Sequence, residues 1–484
     1  MLITRVLCFF HHDSESQSVG SYGKRKYEIS REAKLLALRT SLINWEEERV
    51  ETAKRRAWNA QQPIHKLPNE VLSEIFILSA SPIHDCLWRA PFLATCRRWR
   101  KCAIQCPQLW SVVHVGYCTE LDELALCLSR SISCPLHVRF RYSLDDSSFE
   151  KVMTHFTAAY HAISSHRYRL RSLCIKGIPS IATLIPFEFP TYSFRELRLW
   201  WDTPWQPATP CPLVHRDVPP TIRVLDVWGP KVCRDAVHIE NHQLSNLTTL
   251  IINQVVTVDS VRKVLPRCQS LKELRWLYVD EEVSPASGKW TMRSFSLPEL
   301  ETLRIHGSIS VPLVEACDMP ELRTLSITRP TRPMRDIVPH LVRCRRICEI
   351  ELYSVFSTEE EDLVAIFENL QELTYFSCDT WTPSNLRGLR TLNEYSDDCP
   401  DGAKRLYCPF LTQLVVDGVR SKPRWDRQQE LLEETLARYL KPLLRRWDNE
   451  YKPLTIYLPS VEGFSGLWGV DGVEFGENNP LVWD

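Results

Sequence analysis

Five side chains able to ligate zinc fall within one stretch of the chain: Cys96, Cys102 and Cys106, flanked by His84 and His114. Thiolates and imidazoles hold zinc when their spacing lets four of them converge on one tetrahedron. These spacings match no standard finger, and none of the 18 cysteines forms a C-x-x-C pair with another. Cys344 and Cys348 stand one helical turn apart, but Cys348 falls inside a repeated strand pattern. The thiols are therefore expected to pack as small hydrophobes in a reducing compartment, cytoplasmic or nuclear, and no metal or other cofactor is implied. Frameworks for nucleophilic or phosphate chemistry are missing from the sequence as well: it holds no G-x-S-x-G, P-loop, G-x-G-x-x-G or H-E-x-x-H. A non-enzyme is expected. A hydrolase built on unaligned Cys and His residues would have to reveal itself as one hyper-reactive thiol.

The remaining chemistry is recognition. Arg198, Trp200, Trp228, Arg275, Arg304, His306, Tyr353 and Phe376 recur at matching places in a repeated pattern, and Trp, Tyr and Arg are the side chains that dominate protein-binding hot spots. The pattern is L-x-x-L-x-L, seen in Leu170-Arg-Ser-Leu173-Cys-Ile175, Phe194-Arg-Glu-Leu197-Arg-Leu199 and Leu300-Glu-Thr-Leu303-Arg-Ile305. Its starts fall at 170, 194, 222, 247, 271, 300, 322, 347 and 370, always 22 to 29 residues apart, with a further copy at Leu411. That interval is the leucine-rich-repeat period.

The fold class expected is an α/β solenoid, in which parallel strands line the concave face of a horseshoe and helices such as 259–265, 336–344 and 359–368 back them. Strand alternation puts first, fourth and sixth positions inward and third, fifth and seventh positions on the open face, where the eight residues above form the expected target-binding surface. Additional strands are read at 109–115 and 136–142, and weaker ones at 389–392 and 454–458. An amphipathic helix near 427–447 would cap the array. Trp201 and Trp205, in a Pro-rich insertion, would form either a lid on the rim or a loop core. Cys268, Cys344 and Cys408 sit where a helix turns back to a strand and are expected to be buried.

Ahead of the repeats, residues 1–29 read as a disordered head and residues 30–60 as an amphipathic helix, with Leu35, Leu38, Leu42 and Trp45 on one seam. The seam is too short for a stable zipper, so this helix is expected to pack on its own chain. Then comes Leu67-Pro68-Asn69-Glu70-Val71-Leu72-Ser73-Glu74-Ile75-Phe76, a helix entered through a proline, with an acid in its first turn and an apolar stripe. After a turn region at 82–91, a second helix carries Leu93, Cys96 and Trp99, and Pro107-Gln108-Leu109-Trp110 closes the unit.

Residues 63–115 resemble the F-box, through L-P-x-E-[VIL]-L-x-x-I-F at Leu67–Phe76, C-[RK]-x-W at Cys96–Trp99 and P-x-L-W at Pro107–Trp110. Thr95 stands where such modules usually carry Val. The helix leading directly into this unit is similar to the expanded F-box families of mushroom-forming fungi. The resemblance implies docking on the Skp-type adaptor, and through it cullin, of a ubiquitin ligase, with Leu67, Pro68, Val71, Leu72, Ile75, Phe76, Leu93, Cys96, Trp99 and Trp110 as the adaptor-binding residues. The repeats, 116–460, would then hold a protein target, and 461–484 form a tail without a readable period. The competing expectation is a leucine-rich-repeat scaffold without a ligase role.

Composition bounds the partners. The 484 residues carry 59 Lys plus Arg against 60 Asp plus Glu, a net charge of −1, so there is no global basic field for nucleic acid or anionic membrane. Nor is there an apolar run of the length a membrane span needs. The opening residues lack a cleavage site and do not read as a signal peptide, and Asn246-Leu247-Thr248 reads as a chance sequon.

Overall fold

The structure is a computed structural model. It describes residues 22–79, 90–116, 119–142, 149–177, 193–201, 221–228, 244–253, 262–276, 293–307, 310–329, 333–353, 360–378, 385–393, 395–396, 405–416, 438, 454–459 and 473–476. The expected turn at 82–91 lies almost wholly outside these residues, as do Trp205, all but Arg438 of the expected capping helix, and residues 1–21 of the expected head. Chain packing divides into two units, Met1–Ser81 with Trp88–Cys106, and Pro82–Leu87 with Pro107–Asp484.

The first unit opens with helix α1, Tyr22–Gln61, which begins inside the segment expected to be disordered. Lys, Arg and Glu are good helix formers, so the helix continues N-terminally beyond its apolar period. The expectation that α1 packs on its own chain is not met among the described residues: Leu35, Leu42 and Trp45 are 51%, 63% and 53% exposed. A turn of 3₁₀ helix at Pro63–Lys66 leads into α2, Asn69–Ser79, and α3, Ala90–Thr95, and α4, Arg97–Gln105, complete the unit. Its core is Leu72 and Phe76, both fully buried, with Phe76 stacked on Phe92 at 4.6 Å and tilted against Trp99 at 5.1 Å.

The second unit holds a 14-stranded sheet, and every pairing in it is parallel. In chain order and in spatial order its strands are β1 Val112–Gly116, β2 Leu136–Arg141, β3 Leu170–Gly177, β4 Glu196–Trp201, β5 Val224–Trp228, β6 Thr249–Asn253 and β7 Glu273–Trp276. They continue as β8 Thr302–His306, β9 Thr324–Thr328, β10 Glu349–Tyr353, β11 Tyr375–Cys378, β12 Gln413–Val416, β13 Thr455–Pro459 and β14 Val473–Gly476. Because each strand neighbours the next in sequence, the array is the expected α/β solenoid, adding one strand per repeat.

The apolar positions all turn to one side. Leu197, Leu199, Leu250, Ile252, Leu303, Ile305, Leu325 and Ile327 are buried at 4% exposure or less. Helices cover that side: Phe140 of β2 meets Phe156 of α7, and Phe376 of β11 meets Phe367 of α10, at 4.8 and 5.2 Å. Here α5 is Pro107–Ser111, α6 Leu121–Arg130, α7 Phe149–Ser164, α8 Ser310–Ala316, α9 Met334–Leu341 and α10 Glu360–Asn369. Buried charges finish helix ends. Arg169 donates to the Leu128 carbonyl at 2.7 Å, at the C-terminus of α6, and Asp362 accepts from the Arg335 amide at 2.7 Å, at the N-terminus of α9. Gly177, at φ +121°, lies so close to the Tyr142 carbonyl that no Cβ would fit.

Three local expectations are corrected. Residues 389–392 are not a strand but part of a 3₁₀ helix, Asn385–Asn393, because Leu389 and Leu392 at three-residue spacing are both fully buried on one helical face. Second, the tail, in which no period is readable, supplies a strand of the sheet, since Val473 to Gly476 forms β14. Third, the division falls after Cys106, so Pro107–Ser111 belongs to the second unit, whereas the F-box reading runs to residue 115.

Candidate protein-binding surfaces

The helical unit is organised by Arg98, which sequence reading passed over as the variable position of the Cys-x-x-Trp motif. Its Nη1 donates to the His65 carbonyl, its Nη2 to the Leu67 carbonyl, and Nε and Nη2 both reach Asn69 Oδ1, at 3.2 and 3.1 Å. One planar cation thus ties the entry of α2 to α4. Cys96 is the N-cap of α4, its Sγ accepting from the Trp99 amide at 3.4 Å, and Cys102 Sγ donates to the Asn69 carbonyl at 3.3 Å. Two of the three thiols of the zinc constellation in this unit, Cys96 and Cys102, are thus occupied with shaping its own helices, and the third, Cys106, is buried.

The ten expected adaptor-binding residues separate by burial. Leu72 and Phe76 are fully buried core, and Trp110 is buried with the Arg130 guanidinium 4.4 Å over its ring, so these three are corrected to internal roles. Periodicity could not separate them from their neighbours, since both sides of α2 are apolar. Leu67, Ile75, Leu93, Cys96 and Trp99 are half-buried, and Pro68 and Val71 are exposed. Val71, Ile75 and Leu78 follow at i, i+4 and i+7 along α2, on the side away from Leu72 and Phe76. Leu78, 83% exposed, was not among the expected residues, although its spacing from Val71 already placed it there.

On the sheet, seven of the eight expected target-binding residues share the side away from the helices. Direct register aligns Arg198 with Asp226 and Trp200 with Trp228 across β4 and β5, Arg275 with Arg304 across β7 and β8, and His306 and Tyr353 with Thr328 between them. Phe376 is corrected: it pairs with Ile350, a fourth position, and is fully buried. The repeat there starts at Leu373, three residues later than read, because Leu370-x-x-Leu373 and Leu373-x-x-Phe376 both satisfy the leucine spacing. Trp201 lies at the end of β4.

The open face is charged and internally paired. Arg198 lies 3.9 Å from Glu196 and 4.0 Å from Asp226, Arg275 bonds Glu273 at 2.6 Å, and Arg304 reaches Glu351 at 4.0 Å across the intervening β9. Asp226, 2% exposed, is pushed up to about 6 by burial, against the opposing influence of the Trp200 and Trp228 indoles and of Arg198. By strict geometry its Oδ1 and both indole nitrogens remain without hydrogen-bond partners. Burial raises the thiols of Cys174, Cys268 and Cys344 to about 11, 12 and 11, which leaves them protonated and unreactive near neutral pH. Cys268, Cys344 and Cys408 are buried, as expected. Among the described residues, no three His, Cys, Asp or Glu side chains are grouped to hold a metal, and no helix is long and apolar enough to cross a membrane.

No family model matches the chain, and neither does any curated protein. Among solved structures it is similar to a chain of the yeast Rad7 and Elc1 complex, with a TM-score of 0.32 and 11% identity over 81% of this chain and 96% of that one.

Proposed function

We propose that this protein is a non-catalytic substrate receptor of a cullin-RING ubiquitin ligase: its helical unit docks a Skp-type adaptor, and the open sheet face holds a protein target. The observation that carries the reading is the apolar stripe of Val71, Ile75 and Leu78 beside Pro68. It lies outside the Phe76 core; Pro68, Val71 and Ile75 match the F-box order, and Leu78 extends the stripe beyond it. Exposed apolar surface on so small a unit has a cost in water that a partner relieves. The receptor would contribute proximity, and the transfer chemistry would belong to other subunits.

The experiment is co-purification of the adaptor and cullin with the full chain and with Val71→Asp plus Leu78→Asp. Both substitutions sit on exposed positions, so the fold survives and adaptor recovery falls by at least tenfold. Undiminished recovery refutes the docking surface. Adaptor without cullin would favour the scaffold reading.

A further inference from the structure

We propose that Arg139, Cys174 and Arg198, aligned side by side on β2, β3 and β4, form a seat for an oxyanion carried by a bound polypeptide. The inference rests on the reading of the open sheet face as a protein-binding surface, and adds what that surface recognises. Register places Arg139 opposite Cys174 and Cys174 opposite Arg198, with Arg141, Lys176 and Trp200 forming the next row along the same strands. The two flanking arginines are thus separated by one strand, roughly 10 Å at the backbone, a gap that two long side chains can close over one anion. Between them Cys174 is short and 8% exposed, so the row dips at its centre. Lys176 borders the dip, its Nζ 5.7 Å from the centre of the Trp200 ring.

Charge pairing singles out this end of the sheet. Arg198, Arg275 and Arg304 each have a carboxylate within 4.0 Å. Arg139 occupies the equivalent position on β2, is half-buried, and has no carboxylate that near among the described residues. The carboxylate with influence on it, after the Cys174 thiol, is Glu196, which also serves Arg198 and accepts from Ser172 Oγ at 3.3 Å. Burial, and then Arg198, both weigh against the charge on Arg139, and His137 on the same strand is held below its ordinary range by burial. In register Arg139 stands between His114 of β1 and Cys174 of β3, with the guanidinium of Arg198 bearing on it from one strand further on, and a half-buried guanidinium so placed is relieved by an incoming anion. The shared chemistry is the oxyanion, and its source is either a carboxylate side chain or a phosphate ester of the polypeptide.

The test titrates the full-length protein with capped hexaglutamate, with a capped Ala-phosphoserine-Ala peptide, and with its unphosphorylated form. Binding is measured by calorimetry for the native chain, Arg139→Gln, Arg139→Lys and Arg323→Gln, the last removing one exposed cation elsewhere. The expected result is binding of at least one anionic probe, weakened about tenfold by Arg139→Gln, largely retained by Arg139→Lys and unchanged by Arg323→Gln. Binding of hexaglutamate alone assigns the carboxylate source, and binding of phosphopeptide alone the phosphate. No binding of either probe, or equal affinity for the native chain and Arg139→Gln, overturns the seat. Adaptor co-purification on the same preparations tests the receptor reading independently, because Arg139 lies on the sheet and not on the helical unit.

Discussion

The Arg98 guanidinium donates to the main-chain carbonyl of Leu67, joining residues 31 apart in sequence, and with its bond to the His65 carbonyl fixes the path by which Leu67 and Pro68 enter α2. A fork of five donors can serve two carbonyls and the Asn69 amide at once, whereas the single ammonium of lysine cannot. Arg98→Lys is therefore expected to behave nearly as Arg98→Ala, each costing about 1–3 kcal/mol in the stability of this unit. Amide hydrogen exchange over 63–76 measures it. Full protection in Arg98→Lys would show that the fork is dispensable.

The two sides of α2 should respond oppositely to truncation. Phe76→Ala empties the contact with Phe92 and Trp99 and is expected to cost about 3–5 kcal/mol. Leu78→Ala removes an 83% exposed side chain and should stay within about 0.5 kcal/mol, while still weakening adaptor recovery. Chemical denaturation set beside co-purification separates the two effects, and a large stability loss in Leu78→Ala would mean that its side chain is covered.

Most of the solenoid was legible because its inward Leu and Ile residues repeat at a fixed interval, and burial forces that repeat on any sequence that stacks this way. Phe376 shows where the signal fails: when two overlapping triplets both fit, leucine spacing cannot choose, and the neighbouring strand's register decides. On the open face the types and positions of Arg198, Arg275 and Arg304 were readable, but their partners were not. Glu351 reaches Arg304 from two strands away, a relation no local pattern encodes. The adaptor candidates divide in the same manner, since Leu72 and Val71 are equally apolar in sequence and only packing against Phe76 and its neighbours makes one of them core.

The Arg304 and Glu351 pair has its own consequence. Glu351 is 4% exposed, so Arg304→Glu would set two like charges together beneath the open face of β8 to β10. Breaking a buried pair leaves an uncompensated charge and typically costs about 3–5 kcal/mol. Arg304→Glu is expected to lower the denaturation midpoint strongly, and the exchange Arg304→Glu with Glu351→Arg to recover part of the loss. A single variant as stable as the native chain would show that the pair contributes nothing to the fold, and the arginine would then be available to a target.

Asp226 makes stability depend on pH in a definite direction. Its folded pKa, about 6, lies above the ordinary 3.8, so the folded chain holds this proton more tightly than the unfolded chain does. The stability contributed by the neutral carboxyl is fully present below about pH 4 and is lost as pH rises through 6, a change on the order of 2–3 kcal/mol. Asp226→Asn cannot ionise, so its stability relative to the native protein should improve as pH rises from about 4 to about 6 and level off above that, up to about pH 7.5. Urea denaturation of both proteins across that range is the measurement. Parallel curves would mean that Arg198 and the two indoles hold the ionised carboxylate as well as water does, and that burial of Asp226 carries no net electrostatic cost.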